Sequence, residues 1–153
     1  MFKGIFFDLG DTLIKEGTVE ILPNAHEVLE FLINRYKLAI ICNTSASGER
    51  IREILRSAGI KRYFDVVVVS SEVGLRKPDE GIFRIALESL GLQPDEVLMV
   101  GNRISADILG GNRVGIKTVL IKWNDRYPEK VTCELERPTY TIKSLRELFS
   151  IVR

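Results

Sequence analysis

Four groups of polar residues stand out because each directly follows an apolar stretch of the chain. Asp8 follows the first stretch, and "CNTS" (42–45) follows the second. "SSEVGLRKP" (70–78) and "GNRISAD" (101–107) follow the third and the fourth. Together they hold two strand-end aspartates, a lysine and several small polar groups. Such a set suits a phosphate group and a divalent metal ion better than an apolar ligand, because both need charged or oxygen-bearing partners.

The elements that must position these residues are predicted from hydrophobic patterning. Continuous apolar runs predict buried strands at 2–7, 38–42, 64–70, 96–101 and 116–121. Apolar residues at helical spacing predict helices over 24–36, 48–59, 79–91, 105–115 and 144–152. Strands that alternate with helices indicate the α/β class, with a mainly parallel central sheet covered by helices on both faces.

The carboxyl ends of parallel strands meet at one edge of the sheet, and ligands bind there, beyond the point where the strand order reverses. Since Asp8, Lys77 and Asp107 all follow predicted strands, we expect their side chains to converge. The sequence therefore predicts one site that combines residues from four distant parts of the chain.

Length and composition limit the possible classes of protein. The 153 residues, 45% of them hydrophobic, suit a single domain over 1–153, with a short flap at 9–23. The net charge of +1 gives no electrostatic case for a nucleic acid or an anionic membrane as the main partner. Neither a membrane-spanning run nor a signal peptide is recognisable, and the two cysteines suit reduced thiols. We expect a cytoplasmic protein.

The four polar groups and their flanking strands resemble the four motifs of the haloacid dehalogenase (HAD) superfamily, whose members are mostly Mg²⁺-dependent phosphatases. The stretches that carry the resemblance are "FFDLGDTL" (6–13), "AIICNTS" (39–45), "EVGLRKPDEGIF" (72–83) and "VLMVGNRISADI" (97–108). Each motif alone is weak, but the four occur in order and each follows a predicted strand. The resemblance implies a Rossmann-like three-layer fold and a mechanism that passes through an aspartyl-phosphate.

The resemblance also implies roles for individual residues. Asp8 would be the nucleophile that attacks phosphorus, and Lys77 would neutralise the charge of the phosphoryl group. A Mg²⁺ cofactor would be held by Asp8, by the backbone carbonyl of Gly10, and by Asn102 or Asp107. The expected partner is therefore a phosphorylated substrate, either a small molecule or a macromolecule.

The second motif supplies the expected contacts to the substrate phosphate. Asn43 and the backbone amides near residues 43 and 44 would bind phosphate oxygens. Cys42 stands where the family usually has Ser or Thr, and a thiol is a poorer hydrogen-bond donor than a hydroxyl. Thr44 lies on the same side of an extended chain as Cys42, so it could take over that contact.

Two further departures from the family pattern put efficient turnover in doubt. Gly10 stands where phosphatases of the family usually have a second Asp, which protonates the leaving group and then activates water. Asp11 is adjacent, and it either takes part in catalysis through water or caps the following turn. Asn102 replaces an Asp, which removes one negative charge from the expected metal site.

Three hypotheses follow from this pattern. The first is a Mg²⁺-dependent phosphatase, slowed by the missing carboxylate, and the second is a degenerate relative that binds a phosphorylated ligand or a protein partner. Dehalogenation is a weaker third, because residues 13–37 leave no room for a substrate-enclosing cap. A capless, open site also suits a homo-oligomer in which a neighbour closes the site. We expect Trp123 and Tyr127 to pack within their loop.

Overall fold

The computed structural model describes residues 1–152, which contain a six-stranded sheet in which every strand pair is parallel. The strands are β1 Gly4–Phe7, β2 Lys37–Cys42, β3 Val66–Val69, β4 Val97–Gly101, β5 Lys117–Ile121 and β6 Tyr140–Ile142. Their order is β3-β2-β1-β4-β5-β6, so the direction of progression reverses between β1 and β4. A ligand crevice is expected at the carboxyl ends of these two strands.

Helices cover both faces of the sheet. They are α1 Ala25–Ile33, α2 Gly48–Ser57, α3 Ser70–Val73, α4 Glu80–Leu90, α5 Leu109–Val114 and α6 Leu148–Val152. Successive side chains of a strand point to opposite faces, and accordingly Phe6 and Phe7 belong to different cores. Leu55 of α2 packs in the core around Phe7, and Phe83 of α4 packs in the core around Phe6. The predicted three-layer, Rossmann-like α/β/α fold is confirmed.

Several element boundaries differ from the predictions. The strand predicted over residues 64–70 ends at Val69, because Ser70 begins the short helix α3. The helix predicted over 105–115 is a π-helical turn, Ile104–Ile108, followed by α5. Strand β6 was not predicted, since it has three residues and two of them are exposed.

Residues 8–24 connect β1 to α1 and contain the predicted flap at 9–23, in which isolated bridges join Ile14 to Gly10 and to Ile21. Residues 43–47 connect β2 to α2. No cap domain is inserted at either place within residues 1–152, as predicted. Across the same described residues, no helix combines the length and the apolar character that crossing a bilayer requires.

Candidate active site at the carboxyl ends of the strands

A cleft of about 310 Å³ opens at the carboxyl ends of β1, β2 and β4. It is lined by most of the residues that the sequence predicted to converge. These residues are Asp8, Gly10, Cys42, Asn43, Lys77, Asn102 and Asp107. The convergence follows from the parallel register, in which Phe7 pairs with Ile40 of β2 and with Val100 of β4, so the residues after these strands begin at one level.

Lys77 is the centre of the cleft. Its Nζ donates hydrogen bonds to Asp8 Oδ1 at 2.8 Å and to Asp107 Oδ1 at 2.7 Å. A third bond runs to the carbonyl oxygen of Ile41 at 2.6 Å. Burial acts to lower the pKa of Lys77, but the two carboxylates raise it by a larger amount. The pKa of Lys77 therefore lies above its ordinary value. The ammonium is therefore charged throughout the physiological pH range.

Asp107 is fully buried beneath Lys77, on the π-helical turn Ile104–Ile108. Its Oδ2 accepts a hydrogen bond from the backbone N–H of Arg103 at 3.0 Å. Burial and the nearby Asp8 charge raise the pKa of Asp107 to about 6, against the lowering effect of Lys77. The close approach requires glycine at position 101, because a Cβ there would lie 2.2 Å from Asp107 Cγ.

Asn43 lines the cleft and also fixes the backbone of Lys77. Its Nδ2 donates to the carbonyl oxygen of Lys77 at 3.0 Å, and its Oδ1 accepts from the N–H of Lys77 at 2.8 Å. This pair of bonds joins the loop after β2 to the loop that carries Lys77. Asn43 therefore positions the lysine in addition to the phosphate contact that the sequence predicted for it.

Cys42 and Thr44, the two alternatives for a substrate contact, are placed differently. Cys42 lines the cleft, but burial and the Asp8 charge raise the pKa of its thiol to about 12, so it is a neutral group. Thr44 does not line this cleft. Its N–H donates to Ser70 Oγ at 2.9 Å and its Oγ1 accepts from Ala46 N–H at 3.0 Å, so Thr44 supports the loop, and it also lines a cavity that adjoins the cleft.

Asp11 does not line the cleft, and its contacts fit the second of the two roles that the sequence left open, a cap on the following turn. Its backbone has a φ of 56°, and its side chain is fully buried beside the guanidinium of Arg126. Asp11 Oδ1 accepts a hydrogen bond from the N–H of Glu16 at 3.0 Å. Its carbonyl oxygen accepts from Trp123 Nε1 at 2.8 Å, so Trp123 contacts the flap from the loop after β5. Asp11 is thus an anchor of the flap.

Glu16 was not among the residues predicted to converge, Arg103 belonged to the "GNRISAD" group without a role of its own, and simple loop packing was expected for Tyr127. All three line the cleft. The guanidinium of Arg103 lies 4.0 Å from the ring centroid of Tyr127 and binds Glu129 at 3.2 Å. These residues come from the flap, from the turn after β4 and from the loop after β5, which hydrophobic periodicity does not bring together.

The oxygen donors that face the cleft define what metal it could hold. Residues 1–152 contain no cluster of three or more His, Cys, Asp or Glu side chains suited to a metal ion. The cleft does present the carboxylates of Asp8 and Asp107, the amide of Asn102 and the backbone of Gly10. Carboxylate, amide and carbonyl oxygens are ligands for a hard cation such as Mg²⁺ and do not suit a soft one.

A second cavity of about 560 Å³ adjoins the cleft on the flap side. Its walls combine the apolar side chains of Leu9, Ile14, Val19, Ile51 and Ile54, from the flap and from α2, with the polar side chains of Thr18, Thr44 and Arg50. Four residues line both the cleft and this cavity, namely Gly10, Glu16, Cys42 and Asn43. The two spaces therefore adjoin, and the second one presents more apolar surface than the first.

Comparison with curated proteins finds phosphatases. The chain is 39% identical to the pyrimidine 5'-nucleotidase YjjG of Escherichia coli, over 83% of this chain and 54% of YjjG. It is 34% identical to the glyceraldehyde 3-phosphate phosphatase of Methanopyrus kandleri, over 88% of this chain and 55% of that enzyme. The chain therefore spans about half the length of the curated relatives that it matches.

Comparison with solved structures agrees on the fold. YfnB of Bacillus subtilis, in a crystal form bound to magnesium, superposes with a TM-score of 0.87 over 99% of both chains at 17% identity. The profile of haloacid dehalogenase-like hydrolases matches residues 5–121, a stretch that contains all four motifs. The chain belongs to the haloacid dehalogenase-like hydrolase family.

Proposed function

We propose that this chain forms the catalytic core of a phosphoric monoester hydrolase that acts through an aspartyl-phosphate on Asp8. One observation carries the proposal: Lys77 Nζ lies 2.8 Å from Asp8 and 2.7 Å from Asp107 in a cleft at the reversal of strand order. A buried lysine held by two carboxylates beside an open crevice is an arrangement for binding and transferring an anionic group.

Asp8 is suited to nucleophilic attack. Lys77 holds its Oδ1, while Thr12 Oγ1 lies 3.4 Å from its Oδ2, which is longer than an ordinary O–H···O bond. The Oδ2 lone pairs are thus oriented but only weakly engaged. Attack of Oδ2 on phosphorus forms a P–O bond and breaks the bond to the leaving alcohol. Water then attacks phosphorus, breaks the bond to Asp8 and releases inorganic phosphate.

Lys77 supplies fixed positive charge for this exchange. Its three hydrogen bonds hold Nζ in place before the substrate arrives, so no reorganisation is needed as negative charge builds on the phosphoryl group. The Asn43 amide adds rigidity by holding the backbone of Lys77 from both sides.

We propose Mg²⁺ as the cofactor, because the donors in the cleft are hard oxygens and a structural neighbour binds magnesium. Asp8, the carbonyl of Gly10, Asn102 and Asp107 would hold it. When bound, the ion supplies positive charge that offsets repulsion between the nucleophile and the phosphate. Asn102 contributes no charge, so we expect weaker Mg²⁺ binding here than in a variant with Asn102→Asp.

The proposed substrates are phosphorylated small molecules. The two relatives are named for a pyrimidine nucleotide and for a three-carbon sugar phosphate, which share only the phosphate ester. In this chain the phosphate would lie in the charged cleft, and the organic part would extend into the adjoining cavity.

The test is hydrolysis of para-nitrophenyl phosphate with Mg²⁺ or with a chelator, using Asp8→Asn. We expect Asp8→Asn to lower turnover by about 10⁴-fold or more, as removal of a nucleophile does elsewhere. Asp79→Asn is the matched control, because Asp79 caps α4 outside the cleft and asparagine caps a helix equally well. Equal, measurable turnover by the wild type and Asp8→Asn would refute the role of Asp8, and absence of turnover in the wild type would refute the proposal and favour a protein that only binds phosphorylated ligands.

A further inference from the structure

The carboxylate of Glu16 lies in van der Waals contact with the place that a Cβ at position 10 would take. A Cβ added at Gly10 would lie 3.4 Å from Glu16 Cγ, 3.5 Å from Glu16 Oε1 and 3.6 Å from Glu16 Cβ. Glu16 reaches this place from the flap, six positions further along the chain. A carboxylate from a different position in the sequence therefore lies next to the position where the first motif lacks one.

Specific contacts hold Glu16 in this orientation. The hydroxyl of Tyr127 lies 3.1 Å from Glu16 Oε1 and 2.9 Å from Oε2. Arg126 Nε lies 3.6 Å from Oε2, and the N–H of Glu16 donates to Asp11 Oδ1. The backbone and the carboxylate of Glu16 are thus both fixed, although the side chain is 45% exposed at the mouth of the cleft.

The position of Glu16 matches the place where a leaving group would depart. Glu16 lines the charged cleft and also the cavity next to it. The phosphate ester oxygen joins the phosphate in the first space to the organic group in the second. A carboxyl group at this boundary is where a proton must be delivered to the leaving oxygen.

Other groups in the cleft are less suited to this proton transfer. Asp8 and Asp107 are both bonded to Lys77, and Asp107 is fully buried. Burial keeps the thiol of Cys42 neutral. Among the carboxylates that line the cleft in residues 1–152, Glu16 is the one that is not bonded to Lys77.

We propose that Glu16 is the general acid and base of this enzyme, in place of the carboxylate that Gly10 lacks. This inference rests on the proposed function of Asp8. In the first step the Glu16 carboxyl gives its proton to the alcohol oxygen as the P–O bond to that oxygen breaks. In the second step the Glu16 carboxylate takes a proton from the attacking water as the P–O bond to Asp8 breaks. Glu16 is thereby restored and the reaction releases one alcohol and one phosphate.

The test compares two leaving groups in Glu16→Gln. Benzyl phosphate releases an alkoxide that needs a proton, whereas para-nitrophenyl phosphate releases a stable phenolate. We expect Glu16→Gln to slow benzyl phosphate turnover by roughly 10²–10⁴-fold. With para-nitrophenyl phosphate we expect a rapid first release followed by slow turnover, because only the second step still needs the base. Glu20→Gln is the matched control: Glu20 lies on the same flap, pairs with Lys15 and does not line the cleft.

A double variant separates catalysis from a structural role. Glu16→Ala removes the carboxylate next to position 10, and Gly10→Asp then supplies a carboxylate from position 10 itself. We expect Gly10→Asp/Glu16→Ala to recover most of the benzyl phosphate activity that Glu16→Ala loses. Circular dichroism would confirm that each variant is folded.

The outcomes distinguish this inference from the proposed function. Turnover that needs Asp8 but stays within roughly threefold of wild type in Glu16→Gln, on both substrates, would overturn the role of Glu16. A folded double variant with no recovery would also overturn it. Wild-type turnover that does not depend on Asp8 would overturn the proposed function itself and this inference with it.

Discussion

The two halves of the site differ in how they are held. The strand-end cluster, Asp8, Lys77 and Asp107, lies at the ends of buried strands, and the side chains of Lys77 and Asp107 are only 1% exposed. The flap cluster, Asp11, Glu16, Arg126 and Tyr127, joins two loops through hydrogen bonds, and the side chains of Glu16 and Arg126 are 45% and 48% exposed. One half is fixed by the sheet and the other by contacts between loops.

This difference matches the two kinds of chemistry that we assign. Attack on phosphorus needs fixed charges at fixed distances, which strand ends provide. Proton transfer needs only a carboxyl group within reach of the leaving oxygen, so the group can come from another part of the chain. In our proposal, the acid–base role that Gly10 cannot perform belongs to Glu16, a residue of the flap.

The largest effect is expected from breaking the strand-end cluster with Lys77→Met. Asp107 would then be buried without its positive partner, which typically costs roughly 3–5 kcal/mol of the free energy of unfolding. Urea denaturation of the metal-free protein at pH 8 would measure this loss. Turnover should be lost as well, because the charge that stabilises the phosphoryl group is gone.

The same variant makes a prediction about pH. The pKa of Asp107 is already raised to about 6 with Lys77 present, and it rises further without it. A carboxyl group whose pKa is higher in the folded than in the unfolded protein stabilises the folded state. This contribution is complete below the unfolded pKa of about 3.9 and is lost as the pH rises through the folded pKa. The loss of unfolding free energy in Lys77→Met should therefore be smaller at pH 5 than at pH 8. Lys77→Met/Asp107→Asn should recover stability at pH 8, because it removes the buried charge. An equal deficit at both pH values would contradict this account.

A smaller effect is expected from Asp11→Asn, which tests the buried anchor of the flap cluster. Asparagine tolerates the left-handed backbone of this position, so the change removes the charge that pairs with Arg126 with little added strain. We expect a loss of about 1–3 kcal/mol in the free energy of unfolding, measured by urea denaturation. Asp125→Asn is the control, because Asp125 is exposed and lies next to Arg126 in the loop after β5. Stability equal to that of the control would show that the pair does not anchor the flap.

The smallest effect is expected from Tyr127→Phe, which removes one hydroxyl from Glu16 and leaves the ring over Arg103 in place. A neutral hydrogen bond contributes about 0.5–1.5 kcal/mol, so turnover of benzyl phosphate should fall roughly two- to tenfold. Tyr140→Phe, on the edge strand β6, is the matched control. A loss as large as that of Glu16→Gln would mean that Tyr127 itself transfers the proton.

The sequence predicted the strand-end cluster because its position follows from strand order alone. Asp8, Lys77 and Asp107 each come after a strand or the loop beyond it, and parallel strands bring such positions together. The core strands were equally clear, since a sheet buried on both faces leaves continuous apolar runs. Strand β6 left no such run, because Tyr140 and Thr141 are exposed.

The flap cluster could not be predicted by the same reasoning. Asp11 is next to Gly10 in sequence, yet its left-handed backbone turns the carboxylate toward Arg126. Glu16 reaches the cleft because the loop after β5 supplies Arg126 and Tyr127, more than 100 positions away. The sequence does contain a signal, because Glu16 follows shortly after a motif that lacks its second carboxylate. The contact between the two loops is needed to show that Glu16 lies in the cleft.

The most direct measurement is to trap the phosphoenzyme. Three proteins would be mixed rapidly with para-nitrophenyl phosphate and quenched with acid: the wild type, Glu16→Gln and Asp8→Asn. Peptide mass spectrometry would then locate any phosphoryl group on the chain. We predict a phosphoryl group on the peptide that contains Asp8, more abundant in Glu16→Gln than in wild type and missing from Asp8→Asn. Release of para-nitrophenol by Glu16→Gln without any phosphoryl group on that peptide would contradict the division of the reaction between the strand-end cluster and the flap cluster.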